Sequence, residues 1–169
     1  NYNYDSKYYI GASIRYDGLS KLPKDTRWGT FWGASAAWRL SREKFWTEAP
    51  VNEWFNDLRL RASYATIGNS ALGSDYPYLG TYGAKLVGPM AGIAWNVMGN
   101  NNLKWETTET FDIGLDGALF NNRMTFEIAY WQKNSKDLVL RVPTPPTMGI
   151  PNNYYYDNIG KIKNSGFEL

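Results

Sequence analysis

Residues 103–140 read LKWETTETFDIGLDGALF, then NN, then RMTFEIAYWQKNSKDLVL, two alternating arms about a short turn. In the first arm Phe111, Ile113, Leu115, Gly117 and Leu119 alternate with Thr110, Asp112, Gly114, Asp116 and Ala118. In the second, Met124, Phe126, Ile128 and Tyr130 alternate with Arg123, Thr125, Glu127, Ala129, Trp131 and Lys133. A period of two is the mark of a strand with one apolar face. Asn121-Asn122 suits a two-residue hairpin turn, because asparagine tolerates positive φ. Folding there predicts Leu119 opposite Met124, Gly117 opposite Phe126, Leu115 opposite Ile128 and Ile113 opposite Tyr130. The other face then pairs Asp116 with Glu127, Asp112 with Trp131 and Thr110 with Lys133. A slip of one residue would mix the two faces, so the pattern itself specifies the register.

The same alternation recurs upstream. Residues 7–16 carry Tyr8, Ile10, Ala12, Ile14 and Tyr16 on one face, with tyrosines bracketing it. Residues 29–41 carry Trp32, Ala34, Ala36, Trp38 and Leu40, and residues 57–67 set Leu58, Leu60, Ala62 and Tyr64 against Arg59, Arg61 and Ser63. Such strands need one dry side and one wet side. A strand of about eight residues, tilted by about 40°, spans roughly 20 Å, close to the height of a lipid-facing band between aromatic girdles. Residues 159–169 begin a further strand. Between the strands, residues 17–28 read as a loop, residues 42–56 as a polar connection with a short helical turn, and residues 68–102 as a long Gly- and Asn-rich excursion. Residues 134–158, with Pro143, Pro145, Pro146 and Pro151, read as a second long excursion. The tight turn at 121–122 and the connection 42–56 should share one rim, and the two long excursions the other.

Composition sharpens this picture. Aromatics make up 17% of the residues (13 Tyr, 8 Trp, 7 Phe) beside 16 Gly, while mean hydropathy is only -0.50. An alternating membrane strand reconciles the two, since half its residues face lipid and half face water. The fold class expected is therefore all-β: an antiparallel, up-and-down transmembrane β-barrel segment of about six strands. Two alternatives share the composition, a soluble carbohydrate-binding β-sandwich and a small passive outer-membrane barrel. They separate on where the apolar faces point, inward to a core or outward to lipid. With unpaired edges and apolar outer faces, the segment alone is expected to aggregate in water.

Charge and chemistry mostly exclude. Net charge is +2, from 18 Lys and Arg against 16 Asp and Glu, which makes no electrostatic case for nucleic acid. The absence of Cys and His removes thiolate sites, the usual zinc ligand and the usual general base. No cofactor, metal site or enzyme is expected. The opening NYNYDSKYYI has neither the basic start nor the apolar core of a secretory signal, so the sequence reads as a mature product or an internal piece. Asp116 and Glu127 sit at the spacing of a retaining glycosidase pair, about 5 Å. With Arg59 and Arg61 on the neighbouring wet face, a charge network inside a barrel is the expected arrangement. The loop aromatics Tyr76, Tyr78, Tyr82, Trp95, Tyr154, Tyr155 and Tyr156 are candidates to stack on substrate, or to pack the loops on one another.

Six segments in order carry a family resemblance: YDG (16–18), RWGTFWGASAAWRLS (27–41), LRLRASYATIGN (58–69), NLKWETTETFDIGLD (102–116), LFNNRMTFEIAYWQKNSKDL (119–138) and NIGKIKNSGFEL (158–169). Together they resemble the SusC/RagA family of TonB-dependent outer-membrane transporters of Bacteroidetes. That resemblance implies consecutive strands of a barrel of about 22 strands, closed by a plug and working with a SusD-like surface lipoprotein and TonB to import glycans or peptides across the outer membrane. Residues 1–169 then belong to the barrel domain, with no plug and no energy-coupling box among them. The family's Asn-Pro-Asp before LKWE is here Asn100-Asn101-Asn102.

Overall fold

A computed structural model describes residues 1–73, 75–150 and 152–169. Ser74 and Pro151, both assigned to loops from the sequence, lie outside the described residues. The strands are β1 (Tyr2–Tyr4), β2 (Tyr8–Gly18), β3 (Trp28–Arg39), β4 (Phe55–Asn69), β5 (Thr81–Val87), β6 (Met90–Val97), β7 (Glu106–Leu119), β8 (Met124–Pro143) and β9 (Tyr154–Glu168). Seven form one antiparallel sheet in the order β1-β2-β3-β4-β7-β8-β9, and β5-β6 form a separate two-stranded hairpin. Each strand of the main sheet thus pairs with its chain neighbour, except that the β5-β6 excursion intervenes between β4 and β7.

The alternating residues decide which fold class this is. Ile10 (58% exposed), Ile14 (75%) and Trp32 (48%) lie bare on the outer face of the sheet, and the described residues place no second sheet against them. An apolar face that no protein covers excludes the soluble sandwich, whose apolar faces meet in a core.

Hydrogen-bonded rows locate the apolar band within the sheet. The row through Ile10 runs Ala36, Ala62, Ile113, Tyr130 and Phe167, apolar throughout. Two positions up the strands, the row through Ala12 runs Ala34, Tyr64 and Phe111, and then turns polar at Gln132 and Ser165. The aromatic upper edge therefore falls from Tyr16 on β2 to Phe111 on β7 and to Phe167 on β9, about one position per strand. Strands about 4.8 Å apart, rising about 3.4 Å per residue, produce that drift when tilted by about 40° to the membrane normal. The sequence pattern thus encodes the tilt of a barrel wall.

The central hairpin has the register expected of it: Leu119↔Met124, Gly117↔Phe126, Leu115↔Ile128, Ile113↔Tyr130 and, on the other face, Asp116↔Glu127, Asp112↔Trp131 and Thr110↔Lys133. Gly117 has no Cβ where one would meet the Phe126 ring at 2.3 Å, so the glycine seats that ring. The Arg123 amide donates to the Phe120 carbonyl at 3.3 Å across a turn with φ of 57° at Asn121 and 63° at Asn122. A β-branched residue is strained there. Asn122→Val is expected to cost the intact barrel about 1–2 kcal/mol, while Asn122→Gly stays near neutral. Urea unfolding midpoints of the two variants check this.

Three expectations need correction. Residues 134–158 are not one excursion: β8 continues to Pro143 and β9 starts at Tyr154, leaving a loop of residues 144–153. Asp137, at φ 56°, sits in an irregularity that shifts the register between Ser135 and Val139; it interrupts the alternation and hides the continuing strand. Residues 68–102 likewise contain the β5-β6 hairpin, whose glycines dilute its pattern. The main sheet also has seven strands, β1 being a three-residue edge strand too short to show a period. The connection 42–56 is helical in part, as expected, with Lys44–Thr47 forming α1 between single turns at Leu40–Arg42 and Pro50–Glu53.

The two rims form as anticipated. At the lower rim the Phe120 amide donates to the Trp54 carbonyl at 3.1 Å, and the Asn121 amide to Asn56 Oδ1 at 2.5 Å. At the upper rim lie the β2-β3, β4-β7 and β8-β9 connections, and the first two meet in a small core of Leu22, Phe31, Leu72, Leu103 and Trp105.

Candidate functional site

Three groupings on the wet side and the upper rim bear on function. On the wet face, Arg59 and Arg61 project from β4 toward the carboxylates of β7 and β8. Arg59 Nη2 donates to Asp116 Oδ2 at 2.7 Å. Arg61 donates to Asp116 Oδ1 through Nε at 3.2 Å, to Asp112 Oδ1 through Nη1 at 2.8 Å, and to Glu127 through Nη2. Arg61 stands opposite Gly114 in the ladder, and a Cβ at Gly114 would come within 2.9 Å of the guanidinium. The glycine lets the guanidinium lie flat across β7 and reach β8. One arginine thus staples three strands. The arrangement does not suit glycoside hydrolysis: a retaining pair needs one carboxyl free to carry a proton, and Asp116 and Glu127 both accept from Arg61.

At the upper rim the segment Leu103-Lys104-Trp105-Glu106 fastens loops to wall. Leu103 is fully buried. Trp105 stacks edge-on to Phe31 at 5.3 Å and donates from its indole to the Arg27 carbonyl at 2.9 Å. The buried Glu106 accepts from Asn69 Nδ2 at 2.6 Å and from the Val139 amide at 2.8 Å, so it joins the end of β4 to the irregularity in β8. Lys104 pairs with Asp137 at 3.1 Å, and Asn158 brackets the Lys104 backbone, its Oδ1 accepting from N–H at 2.9 Å and its Nδ2 donating to C=O at 3.0 Å.

Above this core the two upper loops enclose a cleft of about 520 Å³, lined by Tyr78, Leu79, Tyr82, Trp95, Met98, Met148 and Ile150 with Asn101 and two glycines. Tyr82 and Trp95, cross-strand neighbours on β5 and β6, stack at 4.1 Å. The volume and the apolar lining are those of a small-ligand site. Of the seven loop aromatics named as candidates, Tyr78, Tyr82 and Trp95 line the cleft. Tyr76 only buttresses Tyr78, edge-on at 6.5 Å. Tyr154 and Tyr156 lie under the Arg141 guanidinium, at 4.8 and 5.9 Å, and Tyr156 packs on the rim core. Tyr155 makes a bridge to Met98. The three consecutive tyrosines thus contact wall and loop residues and do not line the cleft. Leu79, Met98, Met148 and Ile150 escaped the sequence reading, which weighed only aromatics; the alternation of β5-β6 was the signal for the hairpin that carries the cleft.

A tilted sheet with a bare apolar outer face, a charged inner face and elaborate loops on one rim is the wall of an outer-membrane barrel, and the comparison with known families agrees along the whole chain. The model of the TonB dependent receptor-like β-barrel matches residues 1–169. The chain belongs to this family. It is 36% identical over 169 residues to TonB-dependent receptor P39 of Formosa agariphila, covering 99% of this chain and 16% of that protein. It is 31% identical to TonB-dependent receptor SusC of Bacteroides thetaiotaomicron, covering 100% of this chain and 17% of that protein. Among solved structures, the RagAB peptide importer in its closed-closed state superposes with a TM-score of 0.81 at 30% identity, over 97% of this chain and 18% of that one. The chain thus spans only about a sixth of the length of the relatives it matches. TonB-dependent receptor barrels are outer-membrane proteins of Gram-negative bacteria, and the resemblance to SusC and RagA read from the six segments holds.

Proposed function

We propose that this chain is wall of a TonB-dependent importer that carries an organic nutrient, a glycan or a peptide, across the outer membrane of a Bacteroidetes-like bacterium, with the rest of its barrel, a plug, a SusD-like lipoprotein and TonB as partners. The observation that carries this reading is the coexistence of the bare apolar outer face with the Arg61-centred network on the inner face, in a chain matched along its full length by the family. In outer-membrane barrels the long loops are the extracellular ones, so the cleft at Tyr78 and Trp95 meets solute arriving from outside. Uptake of labelled oligosaccharides and oligopeptides by cells with and without the intact gene, and with and without TonB, tests this. TonB-dependent uptake of one class is expected; leakage of small solutes regardless of TonB would make the protein a passive barrel instead.

Within that function, Trp95 and Tyr78 are proposed to contact substrate and Tyr155 to serve structure. Trp95→Ala is expected to weaken substrate binding by about tenfold, the scale of losing one aromatic anchor, while Tyr155→Ala leaves affinity unchanged. Titration of the imported solute against the purified intact protein measures both. Unchanged affinity for Trp95→Ala with the fold intact would remove the cleft from the substrate path.

A further inference from the structure

The connection between β3 and β4 is longer than a strand reversal requires. Its first half turns back onto the outer face. Glu43 Oε1 accepts from the Tyr8 hydroxyl at 2.6 Å and from the Trp38 indole at 3.2 Å, with Lys7 Nζ at 3.9 Å from the second oxygen. Tyr8 and Trp38 are partners at the foot of the lipid-facing row. These donors, the Tyr8 hydroxyl first, hold the Glu43 carboxyl below the usual carboxylate range. The α1 segment is thereby pinned against the membrane side of the wall, where Phe45 meets Trp38 edge-on at 6.5 Å. Trp46 meets Phe55 edge-on at 6.3 Å, and Phe55 in turn meets the outward-facing Phe126 at 6.4 Å. The connection still leaves large apolar groups bare: Phe45 is 56% exposed, Trp54 59% and Val51 44%.

We propose that residues 42–54 form a bilayer-surface anchor, with Phe45, Val51 and Trp54 set into the headgroup region of the leaflet on the short-turn side. The proposal rests on the membrane reading above and adds a partner, phospholipid, to a connection that the barrel needs only as a turn. Three observations select that partner. The segment is continuous with the lipid-facing wall through the Trp38–Phe45 and Phe55–Phe126 contacts. Phe45 packs on the Trp38 indole that Glu43 caps together with the Tyr8 hydroxyl, and amphipathic Trp and Tyr rings settle at a membrane–water interface. Its charges are two cations, Arg42 and Lys44, against three carboxylates, Glu43, Glu48 and Glu53, so attraction to anionic lipid is not the drive and insertion of apolar groups is.

The test uses the intact protein reconstituted in phosphatidylcholine vesicles, with a nitroxide on a single introduced cysteine at Phe45→Cys, Val51→Cys, Ile14→Cys or Asn122→Cys. Accessibility to oxygen and to a water-soluble nickel chelate reads depth. Ile14 marks the apolar band and Asn122 the aqueous tip of the turn. Labels at 45 and 51 are expected at intermediate depth, about 5–10 Å inside the interface, with nickel accessibility severalfold below that at 122, and unchanged when anionic lipid or salt is added. Nickel accessibility at 45 and 51 equal to that at 122, with the label at 14 in lipid, would overturn the anchor alone. A label at 14 in water would overturn the membrane reading and the anchor together.

Discussion

Trp105→Ala in the intact protein is expected to lower stability by about 3–5 kcal/mol, the range for truncating a buried tryptophan to alanine. Three losses combine. The indole vacates space between Phe31 and Leu103 in the rim core. Its N–H no longer satisfies the Arg27 carbonyl. The loop of residues 19–27 also loses part of its hold on residues 70–105, keeping the bond from Thr26 Oγ1 to the Leu103 carbonyl at 2.5 Å, the Lys21–Asp75 ion pair at 2.6 Å and the packing of Leu22. Because the damage is confined to the upper rim, the barrel strands below should keep their pairing. The signature is therefore local: protease cuts appear in residues 19–27 and 70–102 at concentrations that leave the parent protein whole, while the sheet content by circular dichroism is retained. Trp105→Phe keeps the ring packing and loses only the hydrogen bond, so about 1 kcal/mol is expected from it. Equal protease resistance in Trp105→Ala and the parent would show that the loops are held by something other than this core.

The contrast between the central hairpin and this rim core shows what the amino-acid pattern carries on its face. The hairpin's register was legible because all its determinants are local: a turn that accepts positive φ at Asn121 and Asn122, and ten residues on each side whose alternation tolerates no slip. The outward placement of the apolar faces was legible for the same reason. Leu103 and Trp105 were not, since their partners Leu22, Phe31 and Leu72 lie far away in the chain, and Leu22 and Leu72 belong to loops, where no periodicity announces a buried position. The continuation of β8 was hidden by the irregularity at Asp137, and β5-β6 by glycines. In the cleft, Tyr78 and Trp95 were selected on residue type, but so were Tyr154 and Tyr156, which residue type alone does not distinguish from ligand contacts. What the structure adds is placement: the Arg141 guanidinium stands over the rings of Tyr154 and Tyr156, which lie outside the cleft lining. The charge network was legible in its members Arg59, Arg61, Asp116 and Glu127. That Asp112 joins it, and that Gly114 makes room for it, needed the structure.

That network yields the second large effect. Arg61→Met preserves most of the side-chain length and its packing on β7 but removes the donors shared by Asp112, Asp116 and Glu127. Arg59 still binds Asp116, so one carboxylate keeps a partner and the other two lose theirs, with Asp116 and Glu127 left directly opposite each other in the ladder. Breaking one side of a fully buried pair costs about 3–5 kcal/mol. Here the Arg61 and Asp112 side chains are 30% and 24% exposed and that of Glu127 63%, so water screens the remaining charges and the expected loss is about 2 kcal/mol. The sign of the next step separates repulsion from simple loss of a contact. Adding Asp112→Asn and Glu127→Gln to Arg61→Met removes two unpaired charges from the same face, and should return about half of the lost stability. Added to the parent, the same two substitutions remove favourable pairs and should destabilise it. Urea unfolding of the four proteins in the same detergent or bilayer provides the comparison, with the interaction free energy read from the cycle. If the triple variant is less stable than Arg61→Met alone, the carboxylates do not repel one another on this face, and Arg61 contributes through packing across Gly114 rather than by joining β4, β7 and β8 through charge.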